Sequence, residues 1–282
     1  MLYISDNIIE KFIREDIPYL DLTTSLLEIG NAAGTINFSS HEDICLACTE
    51  EVVRLMKKLN IQTDNVLGSG TCVERGKIFL RARGSAAALH MAWKISQNIL
   101  EYCCGIATRT KSLVDAVKAV DPAVSVITTR KSFPGTKELT LKSILAGGAF
   151  PHRLGLSETI LIFKQHTNFL VSFQELSEKI KKVRINACEK KIIIEAENEE
   201  EALQMAKLDV DGIQFDKIAP DSLKPLVKNI RQTKPSLVLI AAGGINHRNV
   251  AAYAAAGIDA IATTSVYFGT PVDIKVTIEK TL

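Results

Sequence analysis

The residues best able to do chemistry in this chain fall into three sets, each at the end of a short apolar run. The first set is cationic. Thr129-Arg130-Lys131 follows the run at 124–128, with Pro134-Gly135 and Lys137 behind it, and His152-Arg153 lies in a stretch rich in glycine and proline. Arginine offers a planar fork and lysine a point charge, so such loops receive carboxylates or phosphates. The second set is acidic: Glu195 sits in the run at 191–196, with Glu197 just beyond, and Asp216 follows the run at 211–215. Two carboxylates on successive strand ends can hold Mg2+ or ribose hydroxyls. The third set is Ala242-Gly243-Gly244 and Thr263-Thr264-Ser265, where backbone amides at a glycine turn and nearby hydroxyls suit a phosphate. Each set also has a plainer reading: a solvated loop, a structural histidine, or carboxylates that pair with the cations. Placement at strand ends favours a mouth that takes an anionic substrate together with a phosphorylated sugar and Mg2+.

The six cysteines carry less. Cys45-x-x-Cys48 has the spacing of redox or zinc sites, but no second such pair and no histidine pair completes a tetrahedral site. The cysteines read as free thiols, mostly buried as small hydrophobes.

These sets must be positioned by regular elements. Strands are predicted at 124–128, 159–163, 191–196, 211–215, 237–242 and 259–264, and helices at 136–146, 172–184, 198–207, 220–232 and 246–256. Alternation of this kind predicts a parallel sheet, and ligands of such barrels bind at the C-terminal ends of the strands. Six strands are clear and a seventh is expected around 182–185. A closed barrel needs eight, so the sheet is expected to be an open or incomplete α/β barrel. The first part of the chain has an α+β pattern: a helix at 6–14, a strand at 34–40, a helix at 42–58, hairpin-like turns and a helix at 86–103. A further helix at 105–120 forms the junction.

The chain has 282 residues, 46% hydrophobic and 23% charged, with a formal net charge of +2. That balance excludes a polybasic nucleic-acid binder. No apolar run reaches the roughly 18–20 residues of a membrane span, and the N-terminus carries charges where a signal peptide is apolar. A cytoplasmic protein is expected.

At these residues the chain resembles the type II phosphoribosyltransferases, and within them the quinolinate phosphoribosyltransferases and their ModD-type pyrophosphorylase subgroup. The resemblance rests on 14–24 (REDIPYLDLTT), 47–51 (ACTEE), 97–110 (QNILEYCCGIATRT), 129–142 (TRKSFPGTKELTLK), 146–159 (AGG-x-x-PHRLGLSET) and 194–203 (IEAENEEEAL). It implies an N-terminal α/β sandwich of 1–107 plus 269–282 and an α/β barrel of 108–268, in a homodimer or larger assembly. It implies transfer from 5-phosphoribosyl 1-pyrophosphate (PRPP) to a pyridine carboxylic acid such as quinolinate, with release of pyrophosphate and CO2, and an association with molybdenum transport. Carried over by position, Arg130 and Arg153 grip acceptor carboxylates beside Thr129 and His152. Lys131 meets the pyrophosphate-bearing donor, Glu195 and Asp216 hold ribose and Mg2+, and the two glycine and hydroxyl turns cradle the 5-phosphate.

The chain departs from the quinolinate enzymes in four places. Trp93-Lys94 replaces a Glu-Arg pair expected to reach a neighbour's acceptor site, and Phe163-Lys164-Gln165 replaces Lys-Asp-Asn. Lys217 replaces Asn, and Thr264 replaces Gly. Lys94, Phe163 and Lys164 therefore enter the acceptor pocket as altered residues. A second reading is a non-catalytic oxyanion-binding accessory of molybdate uptake, which would have no need of paired carboxylates.

Overall fold

The computed structural model describes residues 2–281 and divides into two compact units. One comprises Met1–Lys111, Phe133–Gly148 and Tyr267–Leu282; the other comprises Ser112–Ser132 and Ala149–Val266. The Phe133–Gly148 segment, expected with the barrel, thus packs in the first unit. It packs there through Leu139 and Ala146 against the apolar core and through Lys142 on the helix Lys137–Ala146, which bonds Glu50 at 2.8 Å and also Glu51, both on the helix Thr49–Lys58.

The first unit holds a four-stranded antiparallel sheet in the order Ile274–Lys280, Ala33–Ser40, Ile78–Ser85, Gln62–Val66. Along Ala33–Ser40 every second residue is buried, including Ile36 and Phe38, as a sheet with one covered face requires. Leu55, Met56, Leu89 and Leu100 from its helices share that core. The helix predicted from 42 begins only at Thr49. Ile44–Cys45 is instead a short strand paired with Cys72–Val73, and Cys48 adopts a left-handed φ of 61° that ends any helical run there. The helices predicted at 86–103 and 105–120 are one, Ala86–Lys118. None of the six cysteines is in a disulfide among the described residues, and Cys45, Cys48, Cys103 and Cys104 are buried. Among the described residues no helix is long and apolar enough to cross a membrane.

The second unit is built on seven parallel strands in the order Phe150–Pro151, Ser125–Thr128, Ala260–Thr263, Val238–Ala242, Gly212–Asp216, Ile192–Ala196, Ile160–Ile162. The two edge strands are consecutive in the chain. In a flat sheet they would stand about 29 Å apart, six steps of roughly 4.8 Å. Instead the Arg153 guanidinium, just past one edge strand, lies 5.7 Å from the Phe163 ring centroid, just past the other. The sheet is therefore curled into an open barrel with its seam between these strands.

Leu161, Ile193, Ile240, Ala242, Ala260 and Ala262 form an apolar cluster joined by Ile127, Val238 and Phe163. These alternate with Ile192, Ile194, Ile213, Phe215, Leu239 and Ile261, also buried. Burial on both faces is why these strands read as unbroken apolar runs. The seventh strand expected at 182–185 is wrong: those residues lie in the helix Phe173–Asn186, capped by Ser172 and buried through Leu176 and Ile180. The actual seventh strand is Phe150–Pro151, two residues long and too short to show a period. The helix predicted at 246–256 is shortened to Val250–Ala254.

Candidate active site

Parallel pairing puts the C-terminal ends of all seven strands on one rim. In spatial order the rim carries His152-Arg153, then Thr129-Arg130-Lys131, Thr264-Ser265, Gly243-Gly244, Asp216, Glu195 and Phe163. Nearly every residue expected in the site is thus brought together by strand order. Lys94 is on the helix Ala86–Lys118 in the first unit, where its ammonium lies 4.5 Å from the Trp93 ring centroid and donates to Gln97 at 3.2 Å.

The cationic side is crowded. The His152 backbone N–H donates to Thr128 at 2.9 Å, fixing His152-Arg153 beside Thr129-Arg130. Burial, with Arg153 adding to it, holds the His152 imidazole below its ordinary value. Burial and then Arg130 also depress Arg153. Two guanidiniums held near each other, with no ion pair to either among the described residues, attract an anion. Across the seam Phe163 stacks on His166, centroids 5.8 Å apart and planes 18° from parallel. The Phe163 N–H donates to His166 Nδ1 at 2.9 Å, which uses that nitrogen as an acceptor. Lys164 turns to Glu201 at 3.3 Å instead, so its charge is engaged outside the cationic cluster.

The acidic side is layered. Asp216 is level with Ala242, whereas Glu195 is level with Gln214 and Ile240, one interior layer deeper. The Gln214 side-chain amide, 7% exposed, donates to Glu195 Oε2 at 2.7 Å. Burial raises the Glu195 carboxyl above its ordinary value; Gln214 and Lys131 pull it back, and Asp216 and Glu197 push it further up. Sequence reasoning missed Gln214. Its signal was present: a lone amide in an apolar parallel strand is costly to bury and calls for a partner.

Between the two sides lie the turns. Gly243 (φ 84°) makes room rather than contact: a Cβ there would stand 2.4 Å from Asp216 Oδ1 and 2.5 Å from Lys217 Cγ. Gly244 (φ 71°) has nothing within 4 Å of such an atom, which leaves open space on that side of the turn, while its carbonyl accepts from Asn246 at 3.1 Å and Asn249 at 3.2 Å. Thr263 is buried, and its hydroxyl donates to the Ile245 carbonyl at 2.7 Å while contacting Ser265 Oγ at 2.9 Å. Its work is to hold the glycine turn against Ser265. The Thr264 hydroxyl meets that of Thr129 at 2.9 Å. Lys217 takes a left-handed φ of 60°, which costs a non-glycine residue about 1–2 kcal/mol.

Among the described residues no group of three or more histidine, cysteine or acidic side chains could hold a metal ion. Two carboxylates are nevertheless enough for Mg2+, which takes one or two from protein and completes its shell with phosphates and water. Glu195 and Asp216, on adjacent strands, are of the right type to supply two such carboxylates.

Known proteins share this framework. Residues 21–104 match the family described as quinolinate phosphoribosyl transferase, N-terminal domain, and residues 106–277 match its C-terminal domain. ModD of Pasteurella multocida, named as a pyrophosphorylase, is 39% identical over 280 residues, covering 99% of either chain. The protein of the same name from Escherichia coli O157:H7 is 34% identical over 279 residues, covering 99% of this chain and 98% of its own. The structure of the nicotinate-nucleotide pyrophosphorylase from Francisella tularensis has the same fold, with a TM-score of 0.89 at 20% identity over 98% of both chains.

Proposed function

The chain belongs to the quinolinate phosphoribosyltransferase family, and on that premise we propose that it joins a pyridine carboxylic acid such as quinolinate to PRPP, in the cytoplasm, with release of pyrophosphate. As a pentosyltransferase of the nicotinate-nucleotide pyrophosphorylase type, it would let the acceptor ring nitrogen attack the anomeric carbon. Pyrophosphate would leave with the bonding pair. CO2 would follow where a carboxylate adjoins that nitrogen, the bonding pair staying on the ring carbon, which then takes a proton from water.

One observation carries this reading: cations, glycine turn and carboxylates stand in sequence around a single rim, with the carboxylates on adjacent strands. Arg130 and Arg153, beside Thr129 and His152, would orient the acceptor's carboxylates. Lys131, within electrostatic reach of Glu195, would face the pyrophosphate. Gly244, Thr264 and Ser265 would cradle the 5-phosphate. Glu195 and Asp216 would take the ribose hydroxyls and oppose the positive charge that develops on the sugar. Mg2+ bound with PRPP would neutralise leaving-group charge. An oxyanion receptor fits less well, because two inward carboxylates repel its ligand.

The test is PRPP-dependent pyrophosphate release across a panel of pyridine acids. Turnover with at least one acid is expected; PRPP binding without turnover on any of them refutes the acceptor class. Calorimetry with molybdate tests the association with molybdenum uptake, and absence of binding removes a direct role. A homodimer, checked by sedimentation, is supported by the exposed Tyr19, Leu20, Leu22, Leu26 and Leu27. If Lys94 serves a neighbour's acceptor site, Lys94→Ala weakens acceptor binding more than PRPP binding; equal effects place it elsewhere.

A further inference from the structure

Lys217 is the residue at the rim that neither backbone nor packing explains. Four non-glycine residues among those described have a left-handed φ: Glu28, Cys48, Asn60 and Lys217. Only Lys217 stands at the C-terminal end of a barrel strand. Asparagine, aspartate or glycine would meet that conformation more easily. The conformation itself is enforced, because the Lys217 N–H donates to the Ala242 carbonyl at 2.9 Å and the chain is interlocked with the bare Gly243. What remains to be explained is the side chain.

The stem of Lys217 runs past Gly243, and its Nζ reaches 3.5 Å from Asp216 Oδ2 while the side chain stays 77% exposed. An exposed ion pair at that distance adds little stability. A strained residue kept where a better-suited one exists points toward function. The ammonium stands beside one of the two inward carboxylates and on the strand next to the open Gly244 turn. A cation arriving at Asp216 meets the lysine charge; an anion meets a ready partner.

We infer that Lys217 is a donor-site residue whose ammonium meets a pyrophosphate oxygen of PRPP beside Asp216, supplying charge that a divalent ion would otherwise bring. This rests on the reading of the rim as a PRPP site. It makes donor binding less dependent on Mg2+ than two carboxylates alone would allow. Asp216 alone would repel the donor's phosphates until a metal arrived.

The experiment is calorimetric titration of PRPP into the full chain, with excess EDTA and then with Mg2+, for wild type and Lys217→Asn. Asparagine keeps the left-handed backbone, so the variant's Tm should equal wild type or exceed it by about 2 °C. Metal-free PRPP affinity should fall about tenfold, and the gain on adding Mg2+ should grow by a similar factor. Ribose 5-phosphate, which lacks the pyrophosphate, should bind both proteins alike. Unchanged metal-free PRPP affinity in Lys217→Asn overturns the inference. A lowered Tm with equal losses for PRPP and ribose 5-phosphate does so too, because it marks a structural role. No PRPP binding by wild type under either condition overturns the reading of the rim as well, whereas a flat comparison between proteins that both bind PRPP defeats this inference alone.

Discussion

Replacing Gln214 by leucine tests the acidic side most directly, because the two shapes are close and the change removes one donor. In the native chain the Gln214 amide donates to Glu195 Oε2 at 2.7 Å. A hydrogen bond to a charged group contributes about 1.5–3 kcal/mol. At about 1.36 kcal/mol per decade, its loss from a carboxylate proposed to oppose developing charge should lower kcat/KM roughly ten- to hundredfold. Stability should change much less. Leucine recovers apolar burial at a site 7% exposed, and Glu195 can respond by keeping its proton. The pH profile separates this effect from general damage. Burial already raises Glu195, and Gln214 is the first influence that lowers it. Without Gln214 the ionised form is lost at higher pH, so the acid limb of kcat/KM moves upward. Pyrophosphate release followed across the acid range, beside thermal unfolding, reads both. A kcat/KM within twofold of wild type, with an unmoved acid limb, refutes the role assigned to this pair.

Gly243→Ala should lower Tm and weaken PRPP binding together, by about 1–3 kcal/mol of stability, because the new Cβ falls 2.4 Å from Asp216 Oδ1 at a φ of 84°; unaltered thermal unfolding would contradict the close approach. Lys142→Met should destabilise the first unit by about 3 kcal/mol, since it leaves the buried Glu51 only Arg54 at 3.9 Å and the half-buried Glu50 only its bonds from Ser69. Burial alone would raise Glu50, but Lys142 and Ser69 outweigh it and hold the carboxyl down at about 2. A depressed carboxyl stabilises fully above its ordinary 4.5 and loses that contribution as pH falls toward about 2. Solvent screening limits it to on the order of 1–2 kcal/mol, and in Lys142→Met the corresponding slope in acid unfolding should flatten. Arg153→Lys should raise the acceptor KM about tenfold with the PRPP KM unchanged, because lysine cannot reproduce the guanidinium face over Phe163; equal changes in both constants would place Arg153 outside the acceptor end.

Much of the barrel was legible because its strands are buried on both faces and so read as apolar runs. What escaped has physical causes. Phe150–Pro151 is too short to carry a period, while the amphipathic tail of the helix Phe173–Asn186 imitated a strand at 182–185. Gly105 invited a helix break, but the helix Ala86–Lys118 runs through it. Most of the candidate site followed from one rule, that ligands gather at the C-terminal ends of parallel strands. The rule names backbone positions and not side-chain directions. It therefore could not foresee that Lys164 turns to Glu201, that Thr263 spends its hydroxyl on Ile245, or that Gly243 serves Asp216 by absence. Those outcomes depend on neighbours that are distant in sequence.

The charge layout of the rim explains why, among the described residues, Arg130, Lys131 and Arg153 form no ion pair with Glu195 or Asp216, although Lys217 stands 3.5 Å from Asp216. Direct contact between the cations and the carboxylates would neutralise both and leave nothing for a ligand. Strand order limits it, because the Ala260–Thr263 and Val238–Ala242 strands stand between Thr129-Arg130-Lys131 and Asp216, and Lys131 influences Glu195 only electrostatically. Each side is then held in a state that a ligand relieves. Arg153 is depressed by burial and by Arg130, and Glu195 is raised by burial and by Asp216. An anion bound at the first and a cationic centre formed near the second each restore the ordinary charged state. A sugar that develops positive charge while an anionic partner approaches it supplies both at once. This favours a transfer reaction over simple anion storage, since storage would relieve the cationic side and aggravate the acidic one.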